Sequence, residues 1–137
     1  MILSSTTSYA LRILIQMTQD KQNIVSAKTL HDILGIKKQY LRRILTDLAK
    51  HGFIKSSRGR NGGFEFARDP GRIYIYEVID AIEGFTSFEG CLLGVKDCKQ
   101  SPQCAMHSIW ADAKDMMIHT FRSTTLSALK KEQLDQI

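Results

Sequence analysis

Cysteine is scarce in this chain: three residues in 137, all between positions 91 and 104. An odd number cannot close into a complete disulfide framework, and clustered thiols in a reducing compartment serve more often as metal ligands or redox sensors. Long apolar runs are missing too. The longest fall far short of the ~18 residues that a membrane span needs, so no membrane partner is expected. The N-terminal stretch MILSSTTSYALRILIQM has no basic residue ahead of its apolar segment. That makes it a poor signal peptide and predicts a cytoplasmic protein. Glycine-rich phosphate loops and nucleophile–base motifs are absent, which leaves an enzyme or a small-molecule substrate without support. No internal repeat or low-complexity tract interrupts the chain. With 43% hydrophobic and 24% charged residues, the composition is that of a globular protein. The length suits one small domain with a real core plus an oligomerisation element.

What is present is charge concentrated in one segment. Residues 37–72 hold ten Lys/Arg and three acids, a net +7, in a chain whose total is +5. Residues 1–36 come to +1 and residues 73–137 to −3. One basic segment inside a neutral-to-acidic chain points to a single polyanion-binding face.

The pattern around that segment predicts its shape. SYALRILIQMTQ (8–19) carries Tyr9, Ala10, Ile13, Leu14 and Met17 at helical spacing, with cap candidates from Ser4 to Thr7. Ser26 can cap AKTLHDIL, and Gly35 can close it. After a tight Gly35–Ile36 turn, KKQYLRRILTDLAKHG places Tyr40, Leu41, Ile44, Leu45 and Leu48 on one face. This is a helix-turn-helix pattern with residues 37–51 as recognition helix. FIKSS and FEFAR then flank RGRNGG, where Gly59, Gly62 and Gly63 permit the positive φ of a hairpin loop. A helix-turn-helix followed by a hairpin is a winged helix. The fold class expected is mainly α with a small β-hairpin: a winged helix-turn-helix domain at 1–84, a loop at 85–103, and a long dimerisation helix with a short C-terminal helix at 104–137.

Double-stranded operator DNA is the partner this predicts. Lys37, Lys38, Gln39, Tyr40, Arg42 and Arg43 lie in the first turns of the recognition helix, the part that enters a major groove. Arg42, Gln39 and Arg43 have donors for base edges; Lys37 and Lys38 suit phosphates. Arg58 and Arg60 sit at the wing tip, where arginine fits a narrow minor groove. After the Asp69-Pro70-Gly71 turn, IYIYEVIDAIEG reads as a brief strand and a short helix ending at Gly84. Beyond Pro102, Ile109, Trp110, Ala113, Met116, Met117 and Phe121 form an apolar stripe that a second subunit would cover, predicting a homodimer.

Cys91, Cys98, Cys104 and His107 fall within 17 residues. Their spacing, Cys-x6-Cys-x5-Cys-x2-His, is not that of zinc fingers, which use two close pairs. Widely spaced thiolates on a loop suit an iron–sulfur cluster. If a helix begins near Pro102, Cys104 and His107 face the same way. Phe85, Phe88, Leu92, Leu93 and Trp110 would supply apolar cover. His31, His51 and His119 have no cysteine neighbours and read as structural. Two other readings stay open: a thiol redox switch without metal on the same DNA-binding frame, and an iron–sulfur enzyme or electron carrier. The second leaves the basic helix-hairpin unit unexplained.

SYALRIL, YLRRILTDLAKHGFIKSSRGRNGGFEFARDP, IYEVIDAIEG, the three cysteines and HSIW together resemble the IscR/NsrR family of bacterial winged-helix iron–sulfur regulators. The resemblance spans nearly the whole chain. It implies a homodimer whose long C-terminal helices cross, with a cluster beside that interface controlling operator affinity. IscR-like members hold a 2Fe–2S cluster through three cysteines and a histidine three residues after the last, here His107. NsrR-like members hold a 4Fe–4S cluster, sense nitric oxide, and take a fourth ligand from an aspartate near the partner's N-terminus; Ser8 stands at that position here. The ligand pattern favours 2Fe–2S. Six residues separate Cys91 from Cys98 where IscR has five, and Arg42 replaces a glutamate of IscR.

Overall fold

A computed structural model describes residues 3–20, 23–85, 88, 90–95 and 104–129. Among these it contains five α-helices and one two-stranded antiparallel sheet. Helix α1 (Ser5–Gln19) starts where Ser4 Oγ accepts the Thr7 N–H at 3.2 Å. Its buried residues Ala10, Ile13, Leu14 and Met17 form the centre of the core. Helix α2 (Ala27–Leu34) is capped the same way, with Ser26 Oγ accepting the Thr29 N–H at 3.1 Å. Gly35, at φ 69, ends it and donates to the His31 carbonyl at 2.8 Å. A side chain there would meet the penalty of the left-handed region. Helix α3 (Lys38–Lys50) buries Leu41, Ile44, Leu45 and Leu48 against α1 and α2.

Strands β1 (Ile54–Ser57) and β2 (Gly63–Phe66) pair with Ile54 opposite Phe66 and Ser57 opposite Gly63. The expected winged helix is therefore present. The wing glycines do different work from that expected. Only Gly59 has positive φ, at 123. Gly62 and Gly63 are needed for space: a Cβ on Gly62 would lie 2.5 Å from the Ser57 carbonyl oxygen, and one on Gly63 2.5 Å from that of Val25. The second contact arises because Val25 pairs with Phe64 as a one-residue third strand, through two N–H···O bonds of 2.8 Å.

The strand expected before the next helix shrinks to a single bridge between Tyr74 and Thr125. Its partner comes from the far end of the chain, so no local pattern could extend it. Helix α4 (Ile75–Ile82) follows, with Glu77 Oε2 accepting the Tyr74 N–H at 2.9 Å. Helix α5 (Ala105–Ser123) is the longest. After it, the chain returns to the core: Leu126 donates to the Ile73 carbonyl at 2.9 Å and is fully buried. Such burial contributes about 2 kcal/mol. Instead of the short helix expected here, a 3-10 turn spans Leu126–Ala128, because the two bonds that flank the Tyr74–Thr125 bridge hold Thr124 and Thr125 extended. The remainder of that segment lies outside the described residues.

The apolar stripe expected on α5 divides between two faces. Met117 and Phe121 pack on the core, while Ile109 is 61% and Met116 72% exposed. Phe85 and Phe88, expected as cover for a cluster, are buried with Phe121: their ring centroids lie 6.4 and 6.3 Å from its ring, and Tyr76 stacks on Phe85 at 4.2 Å.

Candidate nucleic-acid interface and metal-ligating loop

Helical periodicity sorts α3 into two faces. While Leu41, Ile44, Leu45 and Leu48 point inward, Lys37, Lys38, Gln39, Arg42 and Arg43 are exposed around its first turns. Tyr40 stands on the border. It is half-buried, its hydroxyl bonds Thr6 Oγ1, and its ring meets the edge of Tyr9 at 5.7 Å. Arg58 and Arg60 are exposed at the wing tip, either side of Gly59. Among the described residues none of Lys37, Lys38, Arg42, Arg43, Arg58 and Arg60 forms an ion pair.

Two other cations of the basic segment are occupied within the protein. Lys55 pairs with Glu65 across the hairpin at 3.7 Å. Arg68 Nη1 donates to Glu77 Oε1 at 3.0 Å, and its Nη2 donates to Glu77 Oε2 at 3.3 Å and to the Arg72 carbonyl at 3.2 Å. Burial pushes the Glu77 carboxyl up, but the Tyr74 N–H and the Arg68 guanidinium outweigh it and hold Glu77 below the ordinary glutamate range. The free positive charge thus gathers on α3 and the wing tip, the two surfaces that a winged helix offers to adjoining grooves.

The second candidate site lies where the loop meets α5. Cys91 is half-buried in a tight turn: its Sγ accepts the Leu93 N–H at 3.3 Å and its carbonyl accepts the Gly94 N–H at 3.0 Å. Cys104 is exposed at the N-cap of α5. His107 is exposed one turn further on. Trp110 Nε1 donates to the Gly90 carbonyl at 3.0 Å, fastening the loop beside Cys91 to the same helix. Leu92 and Leu93 are exposed. Cys98 lies outside the described residues. Among the described residues no three His, Cys, Asp or Glu side chains come together closely enough to hold a metal ion.

The family model for Rrf2, an iron-dependent transcriptional regulator, matches residues 3–132. The chain belongs to the Rrf2 family. It is 31% identical over 135 residues to the HTH-type transcriptional regulator NsrR of Bacillus licheniformis, covering 97% of this chain and 94% of that protein. To the HTH-type transcriptional regulator IscR of Xenorhabdus nematophila it is 29% identical over 134 residues, covering 97% and 81%. Two solved structures share the fold. One is CymR, the global cysteine regulator of B. subtilis, with TM-score 0.77, 23% identity and coverage of 95% and 96%. The other is T. potens IscR, with TM-score 0.72, 24% identity and coverage of 98% and 88%. This Rrf2 chain is thus a winged-helix protein whose relatives regulate transcription through DNA. No helix among the described residues is long and apolar enough to cross a membrane.

Proposed function

We propose that this Rrf2 protein is a homodimeric repressor or activator that binds double-stranded operator DNA, with an affinity set by an iron–sulfur cluster on Cys91, Cys98, Cys104 and His107. The observation that carries the DNA reading is the set of six exposed cations on α3 and the wing tip that no carboxylate neutralises. Arg42, Gln39 and Arg43 read base edges, and Lys37 and Lys38 hold phosphates. Arg58 and Arg60 enter the minor groove. Tyr40 works at the margin of this surface, since its hydroxyl is tied to Thr6.

The donor set fits a cluster chemically. Two described cysteines stand at the site, one in a tight turn of the loop and one at the N-cap of α5, and an imidazole lies one turn from the second. His107 and the absence of a carboxylate at Ser8 favour 2Fe–2S over the 4Fe–4S centre of a nitric oxide sensor. When bound, such a group supplies a redox- and nitric-oxide-sensitive crosslink between loop and helix. Bound together with Cys98, the group would join the loop of Cys91 to the N-terminal turn of α5, which carries Cys104 and His107. Trp110 keeps the start of that loop on the helix. Joining loop and helix would fix how the two winged helices of a dimer are set, and so whether both α3 helices reach successive major grooves. The second reading is a thiol switch between cysteines without metal on the same DNA-binding frame.

The test is purification without oxygen, followed by absorption and Mössbauer spectroscopy and by affinity for a duplex selected from a random pool. Holo and folded apo protein should differ by about 5- to 150-fold at one salt concentration. Cys91→Ala, Cys98→Ala or Cys104→Ala should each lose the cluster. Equal holo and apo affinities would refute the switch; colourless wild-type protein with thiol-dependent binding would favour the metal-free reading.

A further inference from the structure

The recognition helix begins without a side-chain cap. Lys37 occupies the N-cap of α3, and no side-chain oxygen accepts the N–H groups of the first turn. That turn carries Lys38, Gln39 and Arg42, whose direction depends on where the helix starts. Something outside α3 must therefore fix its origin.

The turn into α3 is held from α2. Gly35 takes the left-handed conformation and returns its N–H to the His31 carbonyl at 2.8 Å. Ile36, 4% exposed, is anchored in the core. The His31 side chain then reaches forward five residues: its Nδ1 lies 2.6 Å from the Ile36 carbonyl oxygen. A carbonyl only accepts, so Nδ1 carries the proton and donates. His31 thus closes the turn twice, by its carbonyl to Gly35 and by its ring to Ile36, the residue before the N-cap. The Lys37 carbonyl in turn accepts the Leu41 N–H at 2.8 Å, the first turn of α3.

We infer that His31 is a positioning residue for base reading: its ring clasps the helix-turn-helix corner and fixes the origin of α3. The residue lies on α2, half-buried, and needs no contact with DNA to act. The inference rests on α3 being the base-reading helix.

Asparagine tests it, because its Nδ2 amide can take the place of the Nδ1–H of histidine, whereas leucine fills the space without a donor. One arm uses no DNA. Amide hydrogen exchange by NMR should be about five- to tenfold faster at Leu41 in His31→Leu, the equivalent of one hydrogen bond. In His31→Asn it should stay within twofold of wild type, and α1 and α4 amides should be unmoved in both. The other arm measures affinity for the duplex selected on wild-type protein and for a scrambled duplex of equal length. His31→Leu should reduce the ratio of the two by about five- to tenfold, and His31→Asn should restore it. Unchanged Leu41 exchange in His31→Leu, or an asparagine variant as impaired as leucine, would overturn the clasp. Faster exchange with an unchanged duplex ratio would overturn its role in base reading. Wild-type protein that selects no duplex would instead fail the DNA reading, while the exchange arm still decides the clasp.

Discussion

Gly63→Ala tests how the wing is fastened to the rest of the domain. The added methyl would stand 2.5 Å from the Val25 carbonyl oxygen, 2.8 Å from its carbon and 3.0 Å from the Ser26 nitrogen. All three are backbone atoms, so no side chain can rotate away. Relief needs a separation of the two segments by several tenths of an ångström. That movement stretches both Val25–Phe64 hydrogen bonds, now 2.8 Å each. Each such bond contributes about 1 kcal/mol net, and overpacking costs about 1–3 kcal/mol. The expected loss is about 2–3 kcal/mol, read as a lower urea midpoint at unchanged slope. Gly71→Ala is the control, since its Cβ would meet only the Asp69 carboxylate, at 3.3 Å, and a side chain can give way. It should change stability by less than about 0.5 kcal/mol. A Gly63→Ala variant as stable as the control would refute the close approach and leave the wing held by its own hairpin alone.

Two further predictions concern electrostatics and assembly. The folded-state pKa of Glu77 is depressed, so its ion pair with Arg68 stabilises the fold above the ordinary glutamate range, and this contribution is lost as pH falls through the lowered value. Glu77→Gln should cost about 0.5 kcal/mol at neutral pH, the pair being partly exposed, and progressively less as pH falls below the ordinary glutamate range; a deficit that stays unchanged through that fall in thermal melts would contradict this. On α5, replacing the exposed Met116 by lysine should shift a dimer toward monomer in sedimentation equilibrium, because burying such a side chain contributes about 1.5–3 kcal/mol. A wild-type monomer at tens of micromolar, or a variant dimer of full strength, would remove this face from the interface.

Local signals carried most of the winged helix. Ser4 and Ser26 cap where their hydroxyls predict, Gly35 ends α2, and the apolar period of α3 matches its buried face. Residues whose work depends on distant neighbours were not legible. Gly62 and Gly63 look like turn glycines, but space rather than φ demands them, and Val25 lies some 38 residues before the strand it crowds. Leu126 reads as part of a terminal helix until the bridge from Ile73 is seen. Trp110 reads as apolar cover; its indole N–H proves to matter as much, though a tryptophan three residues after His107 was the one available hint. The cysteine spacing suggests a ligand set but says nothing of how closely the loop approaches α5.

Helix α5 is where these elements meet, and its residues divide by face rather than by segment. At its N-terminus stand Cys104 and His107, and one turn on Trp110 holds Gly90. Towards the C-terminus Met117 and Phe121 join the aromatic cluster of Tyr76, Phe85 and Phe88, so α5 is fixed to α4. Helix α4 packs on α1, and α1 packs on α3. Ile109 and Met116, on the outer face, stay exposed. Under the proposed function, a bound group would act first on the N-terminal half of α5, which the core does not bury, ahead of the packing that begins at Met117. On that function, the exposed half is where a bound group would alter subunit geometry without unfolding the winged helix. The α3 helices would then move as rigid bodies, carrying their first turns with them.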